Sequence, residues 1–370
     1  MSFPFFHRVT NLSTHASGGT GATVADVAPL SIERVEMDVQ ARLKGGPDAT
    51  CAPLDETGSW PSMPLYAQLE RGVALAASGE YLSDYYSTWA PAEKITLQRG
   101  VDFDEVVLGI PVGALPYMAA ELAAASPRFG AMISGSQTVA TGAMQLWLDK
   151  TTAQLGFTAT PRPVTLIGFA EPLDTWADMT HALGREDWPK SGGPKSLAYF
   201  CGPIKETRSR HRRCPMRSTL RARAAAKADF VAWLDARAGR LWPAVKSEAH
   251  GVWSVLHSTS GGCANASAAC DKSDAIERQY FRAHVDPSAR YVISPPGAIG
   301  GTRLHPAGST FNHLWLAGDW TLNGLNAGCA EAAITSGMLA SRALAGEPRD
   351  ATFTDYLGQA GQQPAEATPA

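Results

Sequence analysis

Near the end of the chain, residues 314–337 read LWLAGDWTLNGLNAGCAEAAITSG, and this stretch constrains the fold more than any other. Leu314, Trp315, Leu316 and Ala317 make a short apolar run of strand character. Gly318 follows, a residue that can take positive φ or let the backbone approach a ligand closely. Asp319 brings a carboxylate able to accept hydrogen bonds from hydroxyls. Trp320 and Thr321 come next, and Asn323 or Asn326 stands where a residue could cap a helix. Ala327, Ala330, Ala333, Ile334, Gly337 and Met338 then place small or apolar side chains at helical spacing. A strand, a sharp turn and a small-residue helix in that order imply a helix packed closely on a sheet. The N–H groups near Gly328 and Cys329 would carry partial positive charge at the helix start.

The rest of the chain supplies other elements. The segments FPFFHRVTNLSTHASG and VADVAPLSIERVEMDVQA alternate and are β-branched around a Gly-rich turn, which predicts a hairpin or meander. EKITLQRGVDFDEVVLGIPVGALP predicts a short strand, a turn at Arg99–Gly100, and a buried strand over 103–110 closed by Pro111. CAPLDETGSWPSMPLYAQLERG, broken by prolines and glycines, reads as an ordered excursion. Residues 117–125 are Ala-rich and predict a helix. MQLWLDK, PVTLIGFA, SLAYFCGP and RYVISPPG read as strands, and LDTWADMTHAL as a helix between two of them. AAAKADFVAWLDARAGRLW has apolar residues at helical spacing and makes the clearest long helix.

At the level of motifs, LAGDWTLNGLNAGCAEAAITSGMLASRAL resembles the C-terminal flavin-binding motif of the FAD-dependent amine oxidase and phytoene desaturase superfamily. Its Gly-Asp-Trp-Thr form is closest to the phytoene desaturase and hydroxysqualene dehydroxylase branch. FDEVVLGIPVGAL resembles the strand that leads out of that superfamily's FAD domain. The resemblance spans most of the chain and is concentrated in residues 103–116 and 290–343. It implies that Gly318 lies against the FAD pyrophosphate or ribityl chain and that Asp319 bonds a ribityl hydroxyl. It implies that Trp320 and Thr321 shape the wall beside the flavin. Ala327, Gly328 and Cys329 would face the flavin N1–C2=O edge, where a helix N-terminus stabilises the negative charge that develops on reduction.

The adenosine half of FAD normally sits on a strand, a G-x-G-x-x-G turn and a helix. The one N-terminal glycine cluster, SGGTGAT, carries Val24 where the motif needs Gly or Ala and precedes a β-like run. It is rejected as that motif. The expected fold class is therefore α/β: a partial FAD-domain layer with a mixed-sheet α+β substrate domain, the N-terminal Rossmann βαβ unit being absent. Residues 1–116 are expected to form the FAD-domain meander and exit strand, and 117–290 the substrate domain. Residues 291–345 are expected to form the C-terminal strand-turn-helix, and 346–370 a disordered tail. The expected function is that of the C-terminal half of an FAD-dependent oxidoreductase. It would oxidise or desaturate an apolar isoprenoid-like or amine substrate by hydride transfer to flavin N5. Three origins of the missing G-x-G-x-x-G unit stay open: a separate partner chain, a truncated gene model, or a degenerate relative that has lost it. The alternative is a non-catalytic fragment or partner subunit that binds no cofactor alone. The resemblance implies no catalytic acid or base, since the flavin itself carries the chemistry.

Composition excludes several other classes. A net charge of -3, with 18% charged residues, argues against nucleic acid as a partner. The arginine-dense run from Lys205 to Lys227 reads as a solvated loop entering a helix, in preference to a phosphate-binding patch. Six cysteines without a CxxC pair fit free thiols and a cytoplasmic location, with peripheral membrane association left open. No apolar run approaches the roughly 20 residues of a membrane-spanning helix. His211 with Cys214, and Cys263 with Cys270, make no compact zinc set, so no metal is expected. His257, Ser258 and Ser260 lack a G-x-S-x-G elbow, so a hydrolase triad is not supported.

Overall fold

The computed structural model describes residues 5–14, 30–46, 63–158, 163–189, 191–205, 215–258, 272–297 and 299–349. Its strands are β1 (His7–Thr14), β2 (Ile32–Val39), β3 (Glu93–Gln98), β4 (Val106–Leu108), β5 (Gln137–Val139) and β6 (Thr141–Leu148). They continue as β7 (Thr165–Leu166), β8 (Thr175–Asp178), β9 (Ser196–Pro203), β10 (Tyr280–His284), β11 (Tyr291–Ile293) and β12 (Leu314–Leu316). The helices are α1 (Gly72–Ser78), α2 (Leu115–Met118), α3 (Ala120–Ala125), α4 (Pro127–Gly135), α5 (Pro215–Leu241), α6 (Lys272–Glu277), α7 (Ile299–Thr302) and α8 (Ala330–Ala345). The fold is thus mixed α and β with several separate sheets. No described helix is long and apolar enough to cross a membrane.

The chain divides into two compact units, residues 1–138 with 287–370, and residues 139–286. The first division falls after the expected 116/117 boundary and the second, at 286/287, just before the expected 290/291. The reason is the packing of α2, α3 and α4, whose Leu115, Met118, Leu122, Phe129 and Met132 enter the core of the first unit. That core also takes Leu12 and Ile32 from β1 and β2, Leu108 from β4, and Leu314 and Leu316 from β12. The alternation in β1 and β2 yields the expected antiparallel pair, and β3 extends it to a three-stranded sheet. The antiparallel register of β1 and β2 is the opposite of a βαβ crossover. The glycine cluster between them, the end of the Pro-rich tail and most of the excursion after Cys51 lie outside the described residues.

The expected helix over 117–125 is interrupted at Ala119, which has φ -124° and ψ 28°. Its two halves still turn Met118 and Leu122 into one core. α4 starts where the sequence allows it: Ser126 Oγ accepts the Phe129 N–H at 3.2 Å and Pro127 opens the first turn.

The second unit is built on a five-stranded sheet in the order β10-β6-β9-β8-β7. Every pairing in it is antiparallel, so the expected mixed sheet is corrected. Met144, Leu146, Ala198, Phe200 and Trp176 form its buried side, where they share a core with Phe230, Trp233, Leu234, Ala238 and Leu241 of α5. The expected helix over 173–183 is also corrected: β8 is a strand, followed by a 3₁₀ turn over Thr180–Arg185. Trp176 and Asp178 are buried while Thr175 and Ala177 are half-buried, a period of two that pairs with β9. Asp178 Oδ1 then accepts the Thr180 N–H at 3.1 Å and its hydroxyl at 2.5 Å, which ends the strand and starts the turn.

Of the arginine-dense run, 206–214 lie outside the described residues. Two of its later basic groups are in ion pairs, Arg223 with Asp286, and Lys227 with Glu277 at 2.5 Å. Cys201 and Cys329, the described cysteines, carry free thiols. Cys51, Cys214, Cys263 and Cys270 lie outside the described residues, as do His211 and Ser260.

Candidate functional site

β12 pairs with β4 in parallel, Leu314 opposite Val106 and Leu316 opposite Leu108. The pairing continues one step past β12, where the Ala317 N–H donates to Leu108 C=O at 3.0 Å. Gly318 then turns the chain with φ +141°. A Cβ on Gly318 would lie 2.4 Å from Trp320 Nε1, so the glycine is required by the indole behind it. Trp320 is 2% exposed and belongs to the core of the first unit, and its Nε1 is buried without a hydrogen-bond partner.

The turn is closed by hydroxyls. Gly318 N–H donates to Ser336 Oγ of α8 at 3.1 Å. Gly318 C=O accepts from Thr321 N–H at 3.2 Å and from the Thr321 hydroxyl at 2.9 Å. Thr321 Oγ1 lies 2.7 Å from Ser336 Oγ, and both residues are fully buried. Ser336 is the one polar residue on the buried side of α8, which otherwise turns Ala332 and Ala340 inward.

Arg303 is the second organiser, and the sequence reading missed it. Although charged, it is buried, and its Nη1 donates to Asp319 C=O at 2.5 Å and to Thr321 C=O at 3.2 Å. Its Nη2 donates to Ser294 Oγ at 2.8 Å, and the Ser294 hydroxyl donates to Asn326 C=O at 2.7 Å. The two halves of the loop, 318–321 and 323–328, are therefore tied through Arg303 and Ser294. The available signal was a single arginine in an otherwise uncharged run, GAIGGTRLHPAGST. Buried guanidinium groups are rare without a set of acceptors to fill.

Asp319 is half-buried beside this cation. Burial pushes its carboxyl above the usual aspartate range, while the Arg303 guanidinium and the main-chain N–H groups of Asp319 and Trp320 pull the other way. Burial likewise holds Arg303 below its ordinary value, with Asp319 opposing.

Asn323 and Asn326 do not cap a helix. Asn323 Oδ1 accepts the N–H groups of Leu325 and Asn326 at 3.1 and 3.0 Å, and Asn326 Oδ1 accepts the Asn323 N–H at 3.2 Å. They hold the loop instead, with Asn326 at φ +53°. The residue before α8 is Cys329, whose side chain makes no capping bond. Ala327 is exposed, while Gly328 and Cys329 are half-buried. Gly328 is crowded by Tyr291, whose hydroxyl donates to Gly328 C=O and whose ring would lie 2.4 Å from an added Cβ.

The arrangement thus joins Gly318, Asp319 and Thr321 directly and links them to the loop before Cys329, while Trp320 turns into the core. Gly318 N–H and the Thr321 hydroxyl are taken up within the protein. What the turn offers to a ligand is the Asp319 carboxylate and the exposed chain around Ala327, ahead of the first turn of α8.

No family model matches the chain, and no curated protein matches it. Among solved structures, a crystal structure of an oxidoreductase from Methanosarcina mazei is similar at a TM-score of 0.39 and 14% identity. The likeness covers 69% of this chain and 45% of that one, so the chain spans less than half of that protein's length.

Proposed function

We infer that the chain is part of an FAD-dependent oxidoreductase acting on an apolar isoprenoid-like or amine substrate. The observation that carries this reading is the parallel pair β4–β12, with Gly318 and Asp319 at its carboxyl end. Open parallel α/β sheets bind their ligands just outside that end of the strands. The two segments in which the family resemblance is concentrated are adjacent strands despite about 200 intervening residues.

The residues present fit a flavin in a limited way. Asp319 is a half-buried acceptor suited to a ribityl hydroxyl, and α8 is long enough to present a partial positive charge at its start. The bound flavin would supply the hydride acceptor. The protein's own contribution is placement: Arg303 and Ser336 hold the turn rigid, and Gly318 lets the chain pass over Trp320.

Support for a partner strand comes from β4. Val106 and Leu108 bond to β12, so the Val107 main chain points away, the residue is 52% exposed, and among the described residues no strand lies beyond it. A parallel pair of three-residue strands is short for this architecture. A chain carrying a G-x-G-x-x-G strand and helix fits that open edge.

A second reading has its own observation. The hydrogen bonds of Gly318, Thr321 and Ser336 are complete without any ligand, and Trp320 is core, so the turn stands as structure in a subunit that binds no cofactor. Titration with FAD, read by flavin absorbance, separates the two. It is run on the chain alone and after co-expression with a chain bearing G-x-G-x-x-G. Flavin retained in the co-expressed form, and weakened by about 1.5–3 kcal/mol in Asp319→Ala, is the expected outcome. Failure to retain flavin in either form decides for the second reading.

A further inference from the structure

The second unit contains a histidine–carboxylate pair with no role in the Gly318 turn. Residues 255–257 run antiparallel to the end of β6. Asp149 N–H donates to Val255 C=O at 2.9 Å, and His257 N–H donates to Trp147 C=O at 2.7 Å. This register brings the two side chains together, with His257 Nδ1 2.6 Å from Asp149 Oδ1. A carboxylate on Nδ1 places the imidazole proton there and leaves the Nε2 lone pair as an acceptor. His257 is 8% exposed, and its Nε2 is buried with no hydrogen-bond partner. Gln279 fixes the backbone around it. Its Oε1 accepts the Trp147 N–H at 2.9 Å and its Nε2 donates to His257 C=O at 3.0 Å.

One indole stands beside the imidazole, and a second stands beside the first. Trp188 meets it edge to face, centroids 5.1 Å apart at 86°, and Trp147 lies 6.0 Å from Trp188. Both indole N–H groups donate to Glu186 Oε2, at 2.7 Å from Trp147 and 2.5 Å from Trp188. Neither ring has a donor left. They offer aromatic surface only, next to a buried acceptor that lacks a donor.

We propose that His257, oriented by Asp149 and lying against Trp188 with Trp147 beyond it, is a hydrogen-bond-accepting site for a phenol-like ligand, an aromatic ring bearing one hydroxyl. The ring packs on the indoles and the hydroxyl donates to Nε2. All of these groups lie in the second unit, so the site is independent of the flavin reading.

The test uses the full chain and 2-naphthol, with 2-methoxynaphthalene as the analogue that has the ring but no donor. Binding is read from tryptophan fluorescence in the wild type, in His257→Gln and in Asp149→Asn. The wild type is expected to bind the naphthol about tenfold or more tighter than the ether, the scale of one satisfied buried hydrogen bond. His257→Gln removes that preference and Asp149→Asn reduces it. A second measurement needs no variant: the ¹⁵N spectrum of the wild-type imidazole is expected to show Nδ1 protonated, and added naphthol shifts Nε2. Equal binding of both compounds, no binding of either, a preference that survives in His257→Gln, or a proton resident on Nε2 overturns the proposal.

Discussion

Asp319 occupies a position where burial and a neighbouring cation act against each other, and burial prevails. A carboxyl raised in the folded state binds its proton more tightly than the unfolded chain does. Its stabilising contribution is therefore complete at pH below the unfolded aspartate value and is lost as pH rises through the raised folded value. Between those two values the wild type is expected to lose stability relative to Asp319→Asn, which does not titrate. Urea unfolding of both proteins across a pH series checks this, and parallel curves would show that Asp319 is not held up by its surroundings. A ligand hydroxyl donating to the ionised carboxylate would act in the opposite direction, so bound flavin is expected to flatten the difference.

Elements were legible where apolar residues clustered or recurred at a fixed spacing. β1 and β2 follow from the alternation of their sequences, β6 and β9 from short apolar runs, and α5 from the spacing of Phe230, Trp233, Leu234, Ala238 and Leu241. β8 was misread because Leu173, Trp176 and Leu183 also fit a helical stripe, and only pairing with β9 decides between the periods. The buried strand expected over 103–110 shrinks to Val106–Leu108, because an apolar run does not reveal that Val107 faces outward. At the site, Gly318 and Asp319 were visible from the turn pattern. Arg303 and Ser294 were not, since their partners are main-chain carbonyls distant in sequence. The correction at β8 has a consequence that can be measured. Trp176 is fully buried, 4.7 Å from Phe157 and 6.2 Å from Trp242, edge to face with both. Trp176→Ala is expected to cost about 3–5 kcal/mol in denaturant unfolding, as for other large-to-small changes in a packed core. A loss below about 1 kcal/mol would place that side chain at the surface of a helix instead.

At the scale of the molecule, the two cores share no residue. One draws on residues 140–283 and the other on 12–132 together with 292–320. The second unit is continuous in sequence and is entered and left through neighbouring strands, with Thr141 of β6 paired to His284 of β10. A fragment of residues 139–286 is expected to fold alone and unfold cooperatively in urea, with the far-ultraviolet circular dichroism of a sheet and a long helix. A fragment that shows no transition would mean that the unit depends on the rest of the chain. The first unit is assembled from both ends of the chain, so no single continuous fragment can reproduce it.

The pairing of Thr141 with His284 also decides how the molecule answers to force. The chain enters and leaves the second unit at two adjacent points on one end of an antiparallel ladder. Tension there opens the β6–β10 bonds one after another, as a zipper opens, and does not shear them together. The second unit is therefore mechanically weak when pulled through its own two ends.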